Sequence, residues 1–339
     1  MTPEDSIRPG RPLPQPAART PDEAGSAPAA RPGLMTPSGL YDDDSIASLR
    51  SRASAYLAAG VPVHFRGRAG MGKTTLALRL AEEIGRPVSV LTGDAGLEGA
   101  DLVGRPVGQD TTRLRDRYVH SVTRSEERTR TVWRDSVLTS AVAEGHTLVY
   151  DEFTRSTAET NNTLLSVLEE GVLIIPSALR SERYVRAHPE FRAIFTSNPD
   201  EYAGVQAAPD ALFDRMITFD VSWCDPETEA GIVACRTGVG RGDARRVVTM
   251  LRRLRDSSPG ENPPSLRTAV MIGRVMRRLG LEADARDGLF VQVCLDVLET
   301  RAPARVGDAE RGRYLDRLRA EIVRACPAPD RPCQRPETA

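Results

Sequence analysis

The sequence predicts an α/β fold in which a parallel sheet flanked by helices is followed by a smaller all-helical domain. Up to about residue 222, short apolar runs alternate with segments of helical periodicity. This alternation is typical of parallel strands joined by crossover helices. After Trp223 only helical periodicity remains. We therefore expect an α/β domain at 41–222 and a helical domain at 223–325.

The strands of the first domain are predicted from apolar runs that end in glycine or in polar residues. They lie at 61–67, 87–92, 146–151, 191–198 and 216–221. Between them, apolar residues that recur every three or four positions predict helices, the first of which is stopped by Gly85. These helices lie at 74–85, 133–145 and 159–171, and those of the second domain at 226–237, 242–256, 266–280, 286–300 and 309–325. The polar residues 93–132 predict no regular element.

The two ends of the chain are predicted to be disordered. Residues 1–40 and 326–339 are rich in proline and poor in large apolar residues. Such segments bury too little surface to offset the entropy lost on ordering.

The bulk composition describes an ordinary globular protein of 339 residues, with 40% hydrophobic and 27% charged residues. Its formal net charge of −1 gives no general attraction to nucleic acid or to an anionic membrane, so we expect neither as a partner. No apolar run approaches the roughly 20 residues of a membrane span. The N-terminus has no apolar signal core, so we expect a cytoplasmic protein.

The cysteines and histidines predict no metal or catalytic site. The five cysteines are scattered, odd in number and without C-x-x-C spacing, which argues against a zinc site or a disulfide framework. The four histidines are dispersed and lack metal-ligand spacing, so we expect no catalytic histidine.

A phosphate-binding loop is predicted between the first strand and the first helix. The run GRAGMGKT at 67–74 fits G-x-x-x-x-G-K-[ST], and its flanking strand and helix supply the context that this motif requires. Backbone N–H groups of such a loop curl around phosphate, and the helix N-terminus adds positive potential. Lys73 would contact the β- and γ-phosphates of ATP, and Thr74 would bind Mg²⁺. The predicted nucleotide-binding residues here are Gly67, Arg68, Ala69, Gly70, Met71, Gly72, Lys73, Thr74 and Thr75.

Composition supports this loop independently. Lys73 is the only lysine of the chain, and the other 45 of its 46 basic residues are arginines. An ammonium on a thin stem fits a phosphate cradle, whereas a planar guanidinium is wider and favours bidentate geometry. If basic residues in this chain have generally become arginine, the remaining lysine marks a position where arginine fails.

Polar residues at the ends of two later strands complete the predicted site. The run TLVYDE ends in Asp151, the expected ligand on the metal side, and Glu152, which would polarise the attacking water. The next strand ends in Asn198, whose amide could orient that water. Arg215, after the following helix, could reach the γ-phosphate of a neighbouring subunit, although an ordinary surface role stays open for it.

Taken together, these residues resemble the AAA+ ATPases, and more narrowly their MoxR-like branch, over about 41–325. Within that branch, YDEFTRSTAETNNTLLSVLEEGVLIIP and FTSNPDEYAGVQAAPDALFDRMITF are similar to the gas-vesicle protein N family, as is the preceding RDSVLTSAVAEGHTLVYDEF. The Tyr-Asp-Glu-Phe strand end and the Glu-Tyr-Ala-Gly run after Ser-Asn-Pro are the more discriminating features. The Pro-rich N-terminal segment departs from the family core.

The resemblance implies an AAA+ P-loop core with an inserted β-hairpin near 171–186 and a helical lid in which Arg267 senses the nucleotide. It implies ATP hydrolysis with Mg²⁺ in a homo-hexameric ring, where Arg215 serves the next subunit. The implied function is the assembly of gas vesicles, by remodelling or chaperoning shell or accessory gas-vesicle proteins, in the cytoplasm and in association with the vesicles.

Three other functions share some of these motifs. A MoxR-type activator that inserts a metal into a metabolic enzyme, or remodels it, would use every nucleotide-binding residue named above. A DNA-remodelling AAA+ protein is disfavoured by the balanced charge and by the lack of a recognisable DNA-binding module. A nucleotide-binding scaffold with little turnover would tolerate replacement of Glu152 by glutamine.

Overall fold

The computed structural model describes residues 44–118, 122–175, 183–199, 210–257, 263–299 and 308–327. The segment 1–40, predicted to be disordered, lies outside the described residues, as does the predicted tail beyond residue 327. The Glu-Tyr-Ala-Gly run at 201–204 also lies outside them.

Strands and helices alternate up to residue 220. The elements, in chain order, are α1 Asp44–Ala58, β1 Val63–Arg66, α2 Lys73–Ile84, β2 Val88–Thr92, α3 Gly99–Val103, β3 Gly104–Tyr118, β4 Val122–Asp135, α4 Val137–Glu144, β5 Thr147–Asp151, α5 Ala158–Asn162, α6 Leu165–Glu170, β6 Val172–Ile175, β7 Arg183–Arg186, β8 Arg192–Ser197, α7 Asp210–Phe213 and β9 Ile217–Asp220. The five strands predicted from apolar runs correspond to β1, β2, β5, β8 and β9.

These five strands form one parallel sheet in the order β2-β5-β8-β1-β9. Its inner strands are covered on both faces, so that successive residues such as Leu148, Val149 and Tyr150 are all buried. Burial on both faces explains why the strands read as continuous apolar runs. The predicted fold class is confirmed. Because the strands are parallel, the residues that follow β1, β5 and β8 meet at one edge of the sheet.

The helix α1 precedes the sheet and was not predicted. Its Ala53 and Leu57 are buried in one cluster with Val63 and Phe65 of β1. This packing places α1 beside the strand that leads into the predicted phosphate-binding loop.

The polar segment 93–132 contains α3 and most of a long antiparallel hairpin. β3 and β4 pair from Gly104 with Asp135 to Tyr118 with Val122, as a two-stranded sheet of their own. Neither strand joins the central sheet, so neither needs the apolar run that reveals a buried strand. The helix predicted near 133–145 is α4, which begins only at Val137 because β4 continues to Asp135.

The single helix predicted at 159–171 is two short helices, α5 and α6. At their junction Thr163 N–H donates to Thr160 O at 3.3 Å, which is the tighter spacing of a 3₁₀ turn. The strand β6 follows and pairs with β7 in an antiparallel hairpin, from Val172 with Arg186 to Ile175 with Arg183. This hairpin lies where the resemblance implies an insertion.

The described residues after β9 form five helices: α8 Pro226–Thr237, α9 Arg241–Ser257, α10 Leu266–Leu279, α11 Gly288–Glu299 and α12 Asp308–Ala325. Their apolar faces enclose one cluster that includes Val247, Leu251, Ile272, Phe290 and Ile322. The boundary at 222/223 between two domains stays a prediction. No helix within the described ranges combines the length and apolarity needed to cross a membrane.

Candidate functional site

The predicted phosphate-binding loop lies between β1 and α2, at the carboxyl edge of the central sheet. Gly67 N–H donates to Ser197 O at 3.2 Å, which ties the start of the loop to the end of β8. The loop ends at Lys73, where α2 begins. The positive potential of the N-terminus of α2 is therefore directed at the loop.

Lys73 is held inside this loop. Its side chain is only 7% exposed, and Nζ donates to Arg68 O at 2.8 Å. The ammonium thus lies within the loop backbone, where such loops bind phosphate.

Asp151 and Thr74 meet at the end of β5. Thr74 Oγ1 donates to Asp151 Oδ1 at 2.7 Å, and Thr196 Oγ1 donates to the same oxygen at 2.5 Å. Thr196 Oγ1 also accepts a hydrogen bond from Glu152 N–H at 2.9 Å. Thr196 links both acidic residues to β8 and was not among the predicted site residues. Its one signal in the sequence is its place two residues before Asn198.

Glu152 stands at a sharp turn of the backbone. Its φ of 52° and ψ of 39° lie in the left-handed region, and no other non-glycine residue of the described chain has a positive φ. Gly93 allows this turn, because a methyl group there would collide with the Glu152 carbonyl. Left-handed backbone at a non-glycine residue is disfavoured by about 1–3 kcal/mol and is concentrated at functional sites. The Glu152 carboxylate pairs with Arg155 Nη1 at 2.8 Å.

Asn198 follows β8 directly and is only 6% exposed. β8 lies between β5 and β1, and its Ser197 is opposite Arg66, the last residue of β1. Asn198 is therefore located between the acidic pair and the phosphate-binding loop.

A cavity of about 380 Å³ adjoins the loop. It is lined by Ile46 and Leu49 of α1, Met71 and Thr75 of the loop and α2, Trp223 after β9, and Leu266 of α10. Its volume falls within the range of about 300–1,000 Å³ that is usual for small-molecule sites. Apolar walls beside a phosphate-binding loop suit the base and sugar of a nucleotide.

The loop side of this cavity was predicted from the sequence, whereas its walls from α1, Trp223 and Leu266 were not. The helical spacing of Ile46, Leu49, Ala53 and Leu57 was the available signal for α1. Asp220 also lines the cavity, and its carboxylate accepts from Arg66 Nε at 2.6 Å. This hydrogen bond holds the pKa of Asp220 below its ordinary value.

Arg267 lies beside the loop, in the first turn of α10. A methyl group at Gly70, where φ is +80°, would lie 2.6 Å from Ser265 Cβ and 3.9 Å from Arg267 Cβ. The N-terminus of α10 therefore packs directly on the loop. Arg267 is exposed, and its guanidinium has no ion-pair partner among the described residues.

Arg215 lies at the opposite edge of the sheet. It precedes β9, whose Ile217 is opposite Val63 at the start of β1. The length of a four-residue strand, on the order of 10 Å, therefore separates Arg215 from the loop after β1. Its guanidinium pairs with Glu169 at 2.6 Å. The structure does not bring Arg215 to the site of its own chain.

The oxygens of Thr74 and Asp151 fit a Mg²⁺ ion that binds together with nucleotide phosphates. Mg²⁺ keeps several waters and takes one or two protein oxygens plus phosphate oxygens, instead of a complete protein cage. In the part of the chain that the structure describes, no cluster of three or more His, Cys, Asp or Glu side chains could hold a metal by itself.

Comparison with known proteins identifies the family. Residues 62–216 match the model of the AAA domain (dynein-related subfamily). The chain is 44% identical over 306 residues to the gas vesicle ATPase GvpN of Ancylobacter aquaticus, which covers 89% of this chain and 86% of that protein. The gas vesicle ATPase GvpN of Haloferax mediterranei is 39% identical over 263 residues, which cover 77% of this chain and 74% of that protein.

A more distant relative is the protein CbbQ of Hydrogenophilus thermoluteolus, which is 26% identical over 205 residues, covering 60% of this chain and 69% of that protein. The resemblance stated from the motifs is confirmed, and the chain is a nucleotide-binding ATPase. It belongs to the gas vesicle ATPase GvpN family, within the MoxR-like branch of the AAA+ ATPases.

Proposed function

We propose that this chain couples the hydrolysis of ATP, bound with Mg²⁺, to the assembly of gas vesicles, by remodelling or chaperoning gas-vesicle proteins. The observation that carries the proposal is the 44% identity to a gas vesicle ATPase over 89% of the chain. We expect the protein to be located in the cytoplasm, in association with the vesicles.

At the site, Lys73 binds the β- and γ-phosphates, while Thr74 and Asp151 hold Mg²⁺, which neutralises charge on the phosphates. Glu152 polarises the attacking water, and Asn198 orients it. The ion pair between Glu152 and Arg155 is partly exposed. Breaking such a pair costs about 0–1 kcal/mol, so Glu152 can exchange Arg155 for the water.

Arg215 acts on the nucleotide of the next subunit in a hexameric ring. This assignment is supported by its distance from the loop of its own chain and by its partly exposed guanidinium. An arginine supplied in trans stabilises the charge on the transferred phosphoryl group and typically raises kcat by about 10³–10⁵.

Complementary charges support contact between copies. Arg274, Arg277 and Arg278 on α10 are exposed and have no ion-pair partner within the described ranges. Near Arg215, Asp214 and Glu170 are exposed acids. If Arg215 reaches the loop of the next copy, its acidic surroundings approach α10, whose first turn carries the exposed Arg267 and whose last two turns carry this basic surface.

The client-binding elements are the β3–β4 and β6–β7 hairpins. The support is their topology, since each forms a separate two-stranded sheet and neither completes the central one. Nucleotide turnover moves the lid helices against the sheet and thereby shifts these hairpins against a protein client, either a shell protein or an accessory protein of the gas vesicle.

The proposal is tested by deleting the gene and restoring it as wild type, as Glu152→Gln and as Glu159→Gln. Glu159 is an exposed glutamate on α5 and provides the matched control. We expect buoyant cells and full-length vesicles, seen by electron microscopy, with wild type and with Glu159→Gln only. Normal vesicles in the deletion strain would refute the proposal. Full rescue by Glu152→Gln would instead favour a nucleotide-binding scaffold.

The alternative is a MoxR-type ATPase that activates a metabolic enzyme or inserts its metal. The relationship to CbbQ at 26% identity keeps this alternative in view. The same deletion strain distinguishes the two, because the alternative predicts normal vesicles and the loss of one enzyme's activity.

A further inference from the structure

Trp223 connects the cavity beside the phosphate-binding loop to the lid helices. It follows β9 and forms part of the cavity wall. The guanidinium carbon of Arg255, on α9, lies 4.0 Å from the centroid of its ring. A guanidinium at this distance from an indole makes a favourable cation–π contact, which is stronger when it is shielded from water.

Arg255 is 9% exposed and holds three parts of the lid together. Its Nη1 donates to both carboxylate oxygens of Glu229 on α8, at 2.8 and 3.1 Å, and its Nε donates to Pro264 O at 2.6 Å. Glu229 is 1% exposed and is shared with Arg252, whose Nη1 also donates to Cys224 O at 2.9 Å. The segment after β9 is thus fixed to α8 and α9 by charge-assisted hydrogen bonds, the stronger class in a protein interior.

The contact with Pro264 extends this network to the phosphate-binding loop. Pro264 immediately precedes Ser265, whose side chain packs on Gly70, and Leu266, which lines the cavity. Arg267 is the next residue. The position of Arg267 relative to the loop therefore depends on where Arg255 holds Pro264.

We propose that Arg255 is a positioning residue for ATP hydrolysis, which transmits the position of Trp223 at the cavity wall to the first turn of α10 and so aligns Arg267 with the nucleotide. This inference rests on a nucleotide-sensing role for Arg267, which the family resemblance implies and which we propose here. This positioning role requires arginine, because only a planar guanidinium can stack on the indole and donate to Glu229 and Pro264 at the same time. Lysine keeps the charge but loses that geometry.

The test compares Arg255→Lys with Arg253→Lys, an exposed arginine on the same helix and a matched control. Arg267→Ala and the double variant with Arg255→Lys complete the set. All are made with Trp133→Phe, which leaves Trp223 as the only tryptophan. The measurements are kcat and KM for ATP, below the unfolding midpoint of every variant, and Trp223 emission with and without ADP.

For Arg255→Lys we expect kcat to fall about tenfold or more, since misplacement by about 1 Å can lower a rate 10²-fold. We expect KM to change by less than about threefold, and a reduced response of Trp223 emission to ADP. Arg253→Lys should match the parent. The double variant should be no slower than Arg267→Ala alone, because both substitutions remove the same alignment.

If Arg267→Ala is slow, two results would overturn the role of Arg255 and leave that of Arg267 intact. They are a normal kcat in Arg255→Lys, or losses of kcat that multiply in the double variant. Multiplying losses would mean that Arg255 has only a separate structural role. A normal kcat in Arg267→Ala would remove the proposed role of Arg267 and this inference with it. The vesicle phenotype of the deletion strain tests the proposed function separately.

Discussion

At the scale of single residues, Lys73 carries the clearest chemical requirement. It is 7% exposed, and its ammonium lies against Arg68 O inside the phosphate-binding loop. A guanidinium is too wide for that position without displacement of the loop backbone. This is a physical reason for the only lysine in a chain that otherwise uses arginine.

We therefore predict that Lys73→Arg lowers ATP hydrolysis by about 100-fold or more, through weaker nucleotide binding and loss of the γ-phosphate contact. The matched control is Arg79→Lys, an exposed residue on α2 that pairs with Glu83 and can do so equally well as lysine. Hydrolysis and ADP affinity are measured in both. Normal turnover in Lys73→Arg would contradict the assignment of the loop.

His64 predicts a specific dependence of stability on pH. Its ring is buried in the sheet, within hydrogen-bonding distance of Ser197 Oγ at 2.8 Å and of Thr218 Oγ1 at 3.0 Å. Burial, assisted by the charge of Arg66, lowers the pKa of His64 to about 3. In the unfolded chain its pKa is near 6.5, so acid below pH 6.5 favours unfolding.

From pH 7 to pH 5 this histidine alone should lower the free energy of unfolding by about 2 kcal/mol. In His64→Gln, which does not titrate, the decrease over the same range should be smaller by about that amount. Urea unfolding at the two pH values measures the difference. Parallel pH dependence in the two proteins would show that His64 titrates normally when folded.

At the scale of elements, the strands of the central sheet were predictable from the sequence, whereas the β3–β4 hairpin was not. The five strands of the central sheet were predictable because burial on both faces makes each an apolar run. The residues at their ends, Asp151, Glu152 and Asn198, were predictable because parallel strands bring their carboxyl ends to one edge. The β3–β4 hairpin forms a separate sheet, and its polar sequence contains no apolar run that would predict it.

The remaining parts of the site depend on contacts between distant segments. Thr196 belongs to the site because it bonds to Asp151 on the neighbouring strand β5. Arg255 belongs to it because its guanidinium contacts both Trp223 and Pro264. Neither residue has a spacing or a motif of its own, since Asp151 lies far from Thr196 in the chain and Trp223 lies far from Arg255. Such contacts need the folded structure to be recognised.

The β3–β4 hairpin should be dispensable for ATP hydrolysis. Replacing 106–133 by Asn-Gly, a dipeptide that favours a two-residue hairpin turn, would join the paired residues Arg105 and Arg134. Because the hairpin forms its own sheet, kcat and the thermal midpoint should stay close to those of the full chain. Vesicle formation should be lost. If the shortened protein hydrolyses ATP poorly, the hairpin contributes to the nucleotide site or to the ring.

At the scale of the whole molecule, the placement of Arg215 predicts shared sites. Arg215→Ala and Glu152→Gln should each be inactive alone, the first because its neighbours lack the arginine and the second because its own site lacks the base. Mixed in equal amounts, they should recover about a quarter of wild-type activity. That fraction of interfaces joins an intact site to an intact Arg215 if subunits exchange at random.

The mixing experiment requires that the subunits be exchanged before assay, which sedimentation of labelled protein can verify. Each variant alone, taken through the same exchange procedure, gives the baseline ATPase activity. Activity no higher than this baseline in exchanged assemblies would exclude Arg215 as a residue supplied in trans.

The burial of Lys73 also decides which reagents can capture an assembly of this protein. Bifunctional amine-directed crosslinkers join two lysines on facing surfaces, and this chain has a single ε-amino group, enclosed in the phosphate-binding loop. Apart from the α-amino group of each chain, such reagents have nothing to join, so an uncrosslinked band on a gel is expected for a monomer and for a ring alike. Carboxyl-directed or thiol-directed coupling, for example through the exposed Cys235, is the chemistry suited to trapping its subunits.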